Sequence, residues 1–434
     1  MQPKIYRYLF VTFFVAFSIT CHLYSQFSTY SPYTRFALGD LAKPGLGQNH
    51  AMGGTGLAIH NPNRINPINP ASFAALDSTS VYFDFGFNAF FNQYNTTVSS
   101  NSWWNMNLHH VAFATSMGKF MGFSAGILPY SSIGYSIKHE FNDYTHGEAL
   151  DTYYSGEGGI MNFYVGTSLK LWERVSVGLT MNYLMGKLTR ERNVQFPMSS
   201  QYSEVSSAEH FDLRKPVFTV GLQYHEDFSD NFFLTLGGIY DFQANASSEL
   251  QYTVNNQILP FDPAYVNDST KIDPNYVLGE DTTLRKFTIP QKIGLGFAVG
   301  IPNKLTFTAD YYMQDWTGSS TGEMHHTTKS NSIHLGTEYI PDYQSIRGYH
   351  KLITYRLGGY YTNYYLVVND YQLTDYGITF GIGLPVKTLK SSINLAFTAG
   401  TRGTTDYNLV KENYGIITFN VTLHDLWFRK RRFD

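Results

Sequence analysis

The sequence predicts an all-β fold: a transmembrane antiparallel β-barrel of about 14 strands with an N-terminal luminal plug, or hatch. Apolar and polar residues alternate with a period of two from about residue 80 almost to the end, and this is the spacing of the two faces of a strand. Aromatic residues make up 17% of the chain and charged residues only 15%. After residue 25, no apolar run approaches the ~18 residues that a membrane-spanning helix requires. Membrane crossing by strands accounts for all these observations.

Residues 1–25 are typical of a secretory signal peptide. Lys4 and Arg7 supply a basic start, and an apolar stretch follows over 9–19. The only cysteine, Cys21, lies inside this segment, and the residues before it make a poor lipoprotein cleavage site. We therefore expect a mature chain without thiols. That expectation excludes disulfides, thiol catalysis and a zinc site built on cysteine.

Residues 26–79 do not alternate and are rich in Gly, Pro and Asn, which predicts loop rather than strand. Two interpretations are open: a disordered periplasmic tail, or a plug folded inside the barrel. Nine apolar side chains favour the plug, because a solvated tail normally carries less apolar mass. These side chains are Phe36, Leu38, Leu41, Met52, Leu57, Ile59, Ile65, Ile68 and Phe73.

The alternation divides residues 80–424 into the strands of the predicted barrel. One face of each strand is apolar, and the other is mostly Thr, Ser, Asn and Gly, as over 175–183 and 305–314. A soluble β-sandwich also alternates, but it would send Lys and Glu outward, whereas small polar side chains suit a confined lumen. The strands are predicted near 80–94, 104–117, 120–138, 153–171, 174–191, 212–227, 231–248, 283–300, 303–320, 326–340, 352–368, 374–384, 391–402 and 413–424.

The predicted connections alternate between long and short, as in barrels with long extracellular loops and short periplasmic turns. The long ones are 95–103, 139–152, 192–211 and 249–282. The last is acidic but lacks the spacing of a calcium-binding loop. The rule weakens late in the chain, where 341–351 is long and 369–373 is short. This arrangement places both termini in the periplasm. Tryptophans near strand ends predict interfacial girdles, formed by Trp103, Trp104, Trp172, Trp316 and Trp427.

Residues 51–58 (AMGGTGLA), followed by Asn69-Pro70-Ala71, are similar to the N-terminal hatch of FadL-type outer-membrane proteins. Weaker similarities lie at Pro290, Gly294, Asp310, Trp316 and over 376–383. The chain thus resembles the FadL family, in the style of its Bacteroidota branch. The resemblance implies passive uptake of hydrophobic compounds such as long-chain fatty acids or aromatic hydrocarbons. It also implies a movable hatch, or gate, which here would be formed by Gly53, Gly54, Asn69, Pro70 and Ala71.

The resemblance further implies a sideways exit beside a kinked third strand. The predicted third strand contains Gly126 and Pro129. Because proline donates no ladder hydrogen bond, Pro129 in mid-strand predicts a bulge or an opening in the wall. The alternative is that Pro129 lies near the rim and has no such effect.

Asp84, Asp241 and Asp310 are predicted to face the lumen, where they would bond to the hatch backbone. The predicted lumen face otherwise carries few charges, which argues against an ordinary aqueous porin. No nucleophile motif occurs, so we predict no enzyme activity, no catalytic residue and no cofactor. No metal site is predicted either, because His109 and His110 are neighbours in a strand and should point to opposite faces.

The basic segment 425–434 follows the last strand as a periplasmic tail. It could be solvated, contact anionic lipid, or bind a periplasmic or outer-membrane protein. The alternative function is therefore a non-transporting accessory barrel subunit of a secretion or barrel-assembly complex. Outer-membrane lipids, lipopolysaccharide and a hydrophobic small molecule are the other expected partners. The net charge of −3 argues against nucleic acid. The expected location is the outer membrane of a Gram-negative cell.

Overall fold

The structure is a computed structural model that describes residues 30–143, 148–195, 205–229, 231–255, 277–319, 327–386 and 388–426. In chain order its strands are β1 (Asp40–Leu41), β2 (Ser80–Asn95), β3 (Ser100–Ser116), β4 (Met121–Asp143), β5 (Glu148–Lys170), β6 (Val175–Gln195), β7 (Val205–Ser229), β8 (Phe232–Asp241), β9 (Ala244–Asn255), β10 (Val277–Ile289), β11 (Lys292–Ile301), β12 (Leu305–Asp315), β13 (Lys329–Tyr339), β14 (Thr354–Val368), β15 (Tyr371–Val386), β16 (Thr388–Arg402) and β17 (Lys411–Leu426).

Strands β2 to β17 form a closed antiparallel barrel, in which β17 pairs with β2 along its whole length. β8 and β9 are two segments of one interrupted wall strand, and β10 and β11 are two segments of the next. The wall therefore has fourteen strands, which confirms the predicted number and arrangement. Within the described ranges, no helix has the length and apolar character needed to cross a bilayer.

The barrel wall is apolar outside and largely polar inside. On β8, Leu236 is 47% exposed whereas its neighbour Thr235 is completely buried, as period-two alternation requires. Other outward side chains on the wall include Leu222, Leu295, Phe307, Leu335, Leu357, Ile378 and Phe397. Buried polar side chains on the inner face include Asp84, Thr180, Asp310, His334, Thr379 and Asn420. This inversion is the arrangement of a barrel whose outer face contacts hydrocarbon.

Residues 30–76 are buried or half-buried against the inner face of the wall, and we refer to residues 30–79 as the plug. Besides β1, they form 3-10 helices at Pro32–Arg35 and Pro70–Ala75, and a single α-helical turn, α1, at Gly47–His50. Each 3-10 helix begins with proline, whose fixed φ suits a first helical position. The preceding side chains cap both helices: the Ser31 hydroxyl oxygen accepts from Tyr33 N–H, and Asn69 Oδ1 accepts from Ala71 N–H.

The lumen is filled in three layers. In the half nearer the short turns, α1 and the helix at Pro70–Ala75 pack against the wall. At mid-height, polar side chains surround two cavities. In the half nearer the long loops, Tyr33 and Leu38 of the plug complete an apolar cluster with inward side chains that include Ile133, Leu188, Phe211, Phe287, Trp316 and Tyr365. The plug thus crosses the lumen from one end towards the other.

Strands β4 to β7 are longer than predicted. Much of the predicted loops 139–152 and 192–211 is strand. In the first loop β4 ends at Asp143 and β5 begins at Glu148, and in the second β6 ends at Gln195 and β7 begins at Val205. This extension carries polar side chains, such as Glu140 and Asp151, which pair with Lys138 at 2.7 and 3.0 Å. No apolar alternation marks such strands, so the sequence pattern missed them. Most of the acidic loop, residues 256–276, lies outside the described residues.

The prediction of tryptophan girdles is wrong for Trp316. Trp104 and Trp172 are 70% and 69% exposed at strand ends, as expected. Trp316 is instead almost completely buried in the luminal apolar cluster, with its ring 4.8 Å from that of Tyr365. It follows β12 in a turn that folds inward, and the sequence gives no sign of that direction. Trp427 lies outside the described residues.

The described chain begins and ends in different halves of the barrel. Tyr30 stacks on Trp103 and donates to the Ser136 carbonyl, both in the half nearer the long loops. Leu426 pairs with Ser80 at the end of the short turns. The termini themselves lie outside the described residues, so the expectation that both are periplasmic stays a prediction. Residues 26–29 lie outside the description, and the side of the membrane stays a prediction.

Candidate functional site

The barrel wall has an opening between β3 and β4. Their ladder runs only from Ser116–Gly122 to Val111–Ile127 and then stops. Above that point β3 remains paired with β2, and β4 remains paired with β5. Adjacent strands of a closed barrel normally pair throughout, because unpaired backbone groups are costly next to lipid. The end of this ladder therefore marks a lateral break at mid-height in the wall.

Both residues of the predicted kink lie at the lower edge of the opening. Gly126 is in the penultimate pair of the ladder, where a Cβ would stand 2.6 Å from the Val111 carbonyl oxygen. Pro129 follows the end of the ladder, and a bulge between Pro129 and Ser131 shifts the register of β4 against β5. The placement agrees with a bulge at an opening, while the role of these residues as an exit stays a prediction.

The plug covers the freed edge of β4. Asp40 and Leu41 in β1 pair with Ser132 and Ser131. Below this pairing, Ala42 N–H donates to the Tyr130 carbonyl at 2.9 Å. Above it, Ser31 N–H donates to the Gly134 carbonyl at 2.8 Å. The chain's own N-terminal segment thus takes the place of β3 along this part of the edge and satisfies its backbone groups.

Residues 41–44 separate two cavities. One, of about 190 Å³, lies behind the opening and is bounded by Asn107 of β3 and Pro129 of β4. The other, of about 300 Å³, extends deeper into the lumen along β5 to β16 and also reaches His109 of β3 and Pro129 of β4. Leu41, Ala42, Lys43 and Pro44 line both. These residues therefore lie on the boundary of both cavities, and a displacement of this segment would widen the route from the lumen to the wall opening.

Lys43 fixes this segment to the wall. Its ammonium group donates to the hydroxyls of Tyr360 and Tyr414, at 2.6 and 2.9 Å, and lies over both rings. Burial lowers the pKa of Lys43 to about 8, and the carboxylate of Asp375 opposes that shift. Nearby, Arg402 pairs with both Asp375 and Asp40. The segment at the opening is therefore held by charges as well as by the β1–β4 ladder.

Inward-facing glycines seat the lower plug against the wall. At each of these positions a Cβ would overlap plug atoms or stand unusually close to them, so a side chain would displace the plug. We call this set the glycine seat: Gly122, Gly178, Gly221, Gly237, Gly296, Gly336, Gly358 and Gly381. The glycine seat was not predicted, although an inward glycine that recurs near the same height on successive strands is visible in the sequence.

The predicted hatch residues belong to this lower plug. Gly53 and Gly54 follow α1 with positive φ values of 69° and 87°, which favour glycine. Gly53 N–H donates to the Thr379 hydroxyl at 2.8 Å. Asn69 Nδ2 donates to the Leu57 carbonyl at 2.7 Å. The helix that begins at Pro70 and Ala71 is buried against β5, β6 and β7. These contacts fix the hatch in place; its movement stays a prediction.

The three predicted lumen-facing acids have different partners. Asp310 accepts from the backbone N–H groups of Gly56 and Leu57 at 2.7 and 2.9 Å, so this carboxylate does bond to the plug backbone. Asp84 instead lies in a wall network, where it accepts from His110 at 2.6 Å. Asp241 pairs with Lys292 at 2.8 Å, also within the wall.

His109 and His110 do not point to opposite faces of the strand, so the prediction from strand parity is wrong. The pairing of β2 with β3 shifts between Gly86 and Phe87, so His109 is the extra residue of a bulge. Both side chains are buried, and their Nδ1 atoms are 2.8 Å apart. The ring of His50 in α1 packs on His109 at 4.8 Å. Among the described residues, even so, no group of three or more metal-ligating side chains could hold a metal ion.

The lumen also carries more charge than predicted. Glu338 of β13 pairs with Arg64 of the plug at 2.7 Å and with Arg356 of β14 at 2.8 Å, all three nearly inaccessible to solvent. A second network surrounds Arg402. Glu338 joins one arginine of the plug to one of the wall, and Arg402 of the wall pairs with Asp40 of the plug and Asp375 of the wall. These ion pairs therefore tie the plug to the wall.

Comparison with solved structures supports the same fold. A Pseudomonas aeruginosa FadL homologue matches with a TM-score of 0.61 and 11% identity, covering 89% of this chain and 99% of that one. The Pseudomonas putida toluene transporter TodX matches with a TM-score of 0.54 and 14% identity, covering 90% and 100%. The Ralstonia pickettii toluene transporter TbuX matches with a TM-score of 0.53 and 13% identity, covering 88% and 98%.

At these identities the likeness is one of fold, and the chain has the FadL-type barrel fold. No curated protein sequence matches the chain. One family model, described as BamG, matches residues 5–434, which is nearly the whole chain. The chain therefore belongs to the BamG family.

Proposed function

We propose that this protein is a passive outer-membrane channel for hydrophobic compounds, such as long-chain fatty acids or aromatic hydrocarbons, and that residues 40–44 gate its wall opening. The observation that carries the proposal is the broken β3–β4 ladder, whose free edge on β4 is covered by β1. The fold shared with toluene transporters supports it. Outer-membrane lipids and lipopolysaccharide would surround the apolar outer face.

In this proposal, a compound captured among the long loops enters the apolar cluster in the upper lumen. It then reaches the luminal cavity and passes into the membrane when residues 40–44 leave the edge of β4. Apolar burial and a downhill concentration gradient supply the driving force. The hatch at Gly53, Gly54 and Asn69 to Ala71 supports the gate from below.

The test is a disulfide that locks the gate. Leu41 and Ser131 are direct partners across the β1–β4 pair, a spacing that suits a disulfide. The variant Leu41→Cys/Ser131→Cys, with Cys21→Ser, should block uptake of labelled fatty acid or toluene when oxidised and recover it when reduced. The matched control is Ala89→Cys/Ile417→Cys, which locks two strands already paired throughout. Equal uptake by both oxidised variants would overturn the gate.

A second candidate function is an accessory barrel subunit of an outer-membrane barrel-assembly complex. The family name BamG favours it, and so does a groove of about 1380 Å³ in the outer wall. Outward Ala399 and Gly415 form the groove floor between Ile378 on one side and Phe91 with Trp104 on the other. Small residues flanked by larger apolar ones suit close packing of a second membrane protein.

Co-purification in mild detergent separates the two functions. An accessory subunit would be recovered in a stoichiometric complex, and Ala399→Phe, which fills the groove, would release it. Ala309→Phe, an alanine facing outward on β12, is the matched control. A channel would be recovered without such partners and would keep its uptake in both variants. The basic tail, 427–434 of which lies outside the described residues, is a further proposed contact for a protein partner.

A further inference from the structure

A bulge in β3 places two adjacent histidines, His109 and His110, on the inner side of the wall at the opening. Leu108 before them and Val111 after them both face outward, 53% and 45% exposed. Val111 belongs to the last β3–β4 pair, so His109 lies two residues beyond it, at the edge of the opening. His109 is part of the surface of both cavities. Because bulges redirect side chains beside functional sites, this pair of imidazoles indicates a chemical role.

Asp84 of β2 fixes a proton on His110. The Asp84 side chain is only 1% exposed, and it accepts from Asn420 Nδ2 at 2.9 Å and from the Thr422 hydroxyl. With these donors around it, the Asp84 carboxylate also accepts from His110 Nε2 at 2.6 Å, so that nitrogen carries a proton. The wall therefore sets the tautomer at one end of the imidazole pair.

The two imidazoles form one hydrogen-bonded chain with two protonation states. Their Nδ1 atoms are 2.8 Å apart and share one proton. When the pair is neutral, His109 donates that proton to His110, and His109 Nε2 is left as an acceptor. When the pair holds an additional proton, His110 donates at both nitrogens and His109 Nε2 becomes a donor. His109 Nε2 makes no hydrogen bond within the described residues and is not one of the unpartnered atoms that are closed to water.

Asp84 favours the additional proton on this pair. Within the described residues, no lysine or arginine pairs with the buried Asp84 carboxylate, and His110 is its ionisable partner. Buried charges are normally compensated, so a proton on the imidazole pair supplies the counter-charge. The ring of His50 in α1 packs on His109 at 4.8 Å. Other charged or titratable side chains of the plug and the wall line the cavity behind the opening: Asp40, Lys43, His334, Arg402 and Glu412.

We propose that the Asp84–His110–His109 chain protonates the carboxylate of a fatty acid at the wall opening, so that the acid enters the membrane without a charge. In this step the N–H bond at His109 Nε2 breaks, an O–H bond forms on the carboxylate, and the imidazole pair becomes neutral. A proton from water in the lumen then restores the pair. A carboxylate is strongly disfavoured in hydrocarbon, whereas the neutral acid is not. The inference rests on the proposed channel function and names the form in which fatty acids would leave.

The test compares uptake of labelled dodecanoate and toluene by cells that produce the full chain, because toluene has no group to protonate. His109→Gln keeps a hydrogen-bonding side chain but cannot carry the proton, so dodecanoate uptake should fall at least about tenfold relative to toluene uptake. In this variant only acid that is already neutral in water can leave. The dodecanoate-to-toluene ratio should therefore fall about tenfold per pH unit between about pH 6 and 8, above an ordinary carboxyl pKa. The wild-type ratio should fall less steeply, because the chain supplies the proton.

Two further variants separate proton transfer from packing. Asp84→Asn removes the charge that holds the proton on the pair, so it should give the same steep pH dependence as His109→Gln. The matched control is His334→Gln. His334 is a buried imidazole on the same two cavities, but its nitrogens bond to the Gly53 carbonyl and the Ser332 hydroxyl rather than to a carboxylate. Its uptake ratio and pH dependence should match those of the wild type.

Three results with His109→Gln would overturn the inference and leave the channel standing. They are an unchanged uptake ratio, an equal loss of both compounds, and the same pH dependence as the wild type. Uptake of neither compound by the wild-type protein would overturn the channel as well as the proton transfer.

Discussion

Gly237 of the glycine seat gives the sharpest test of how the plug is held. A Cβ at this position would overlap the Leu57 carbonyl group and stand 3.0 Å from the Ala58 nitrogen. Ordinary contact distances would require the plug backbone to retreat by ~1 Å or more. The Leu57 carbonyl accepts from Asn69, and the adjacent Gly56 and Leu57 N–H groups both donate to Asp310, so Gly237→Ala should break these bonds.

The expected magnitude follows from those contacts. Asp310 receives two backbone N–H groups at 2.7 and 2.9 Å. A hydrogen bond to a charged group contributes about 1.5–3 kcal/mol, so losing both weakens plug docking by about 3–6 kcal/mol. Because ~1.4 kcal/mol is a factor of ten in an equilibrium, the open population of the plug should rise at least about 100-fold.

The assay is maleimide labelling of a cysteine in the plug. Ala58 is fully buried, so Ala58→Cys in a Cys21→Ser background should react only when the plug leaves its seat. Gly237→Ala should raise the labelling rate by that factor. Gly238→Ala is the control, because a Cβ there points outward and meets only ordinary contacts at 3.6 Å. If both variants label at the same rate, the seat does not hold the plug.

Two further predictions concern charges and protons in the plug. Glu338→Gln should destabilise the protein by about 3–5 kcal/mol, because it leaves Arg64 and Arg356 buried without a counter-charge. Arg64→Met should cost less, because Glu338 stays paired with Arg356. Thermal unfolding of both variants measures the two losses, and a larger loss in Arg64→Met would contradict the prediction. Burial lowers the pKa of His50 to about 4 and of His60 to about 3. Below pH 6.5, the pKa of about 6.5 of an unfolded histidine, these side chains bind protons in the released plug but not in the docked plug. The free energy of unfolding should therefore fall by about 1.4 kcal/mol per pH unit for each histidine as the pH drops from 6.5 to 4. His50→Gln and His60→Gln should each flatten this dependence in unfolding midpoints, and unchanged slopes would contradict it.

The wall of the barrel could be predicted because the environment of its side chains alternates between lipid and lumen along each strand. Every second residue faces hydrocarbon, so strands that lie within the membrane show the alternation in the sequence. The extension of β4 to β7 could not be predicted in this way, because its residues are mostly polar and do not alternate with apolar ones. His109 was misplaced for a related reason: a single bulged residue shifts the parity, and neither His109 nor its neighbours mark the bulge.

The interior was harder to predict than the wall. Glu338, Arg356 and Arg402 lie on strands whose parity sends them inward, but their pairing depends on a plug chain that is distant in sequence. The glycine seat could have been predicted by aligning inward positions at one height. β1 could not, because Asp40 and Leu41 have no strand pattern and are extended only through the edge of β4.

The opening and the plug depend on each other energetically. Without β1, the edge of β4 would leave backbone groups unpaired beside lipid, and this is costly enough that an empty gap should close or widen rather than persist. With β1 in place, the bonds from Ser31 and Ala42 and the β1–β4 pairs hold the gate shut. At about 1 kcal/mol net for each bond, release of the segment costs several kcal/mol, so the open state is rare unless something favours it. A ligand that binds behind residues 40–44 can shift this equilibrium only by its own differential affinity for the open state. The proposed gate would therefore respond to occupancy of the luminal cavity, and an empty barrel would leak little.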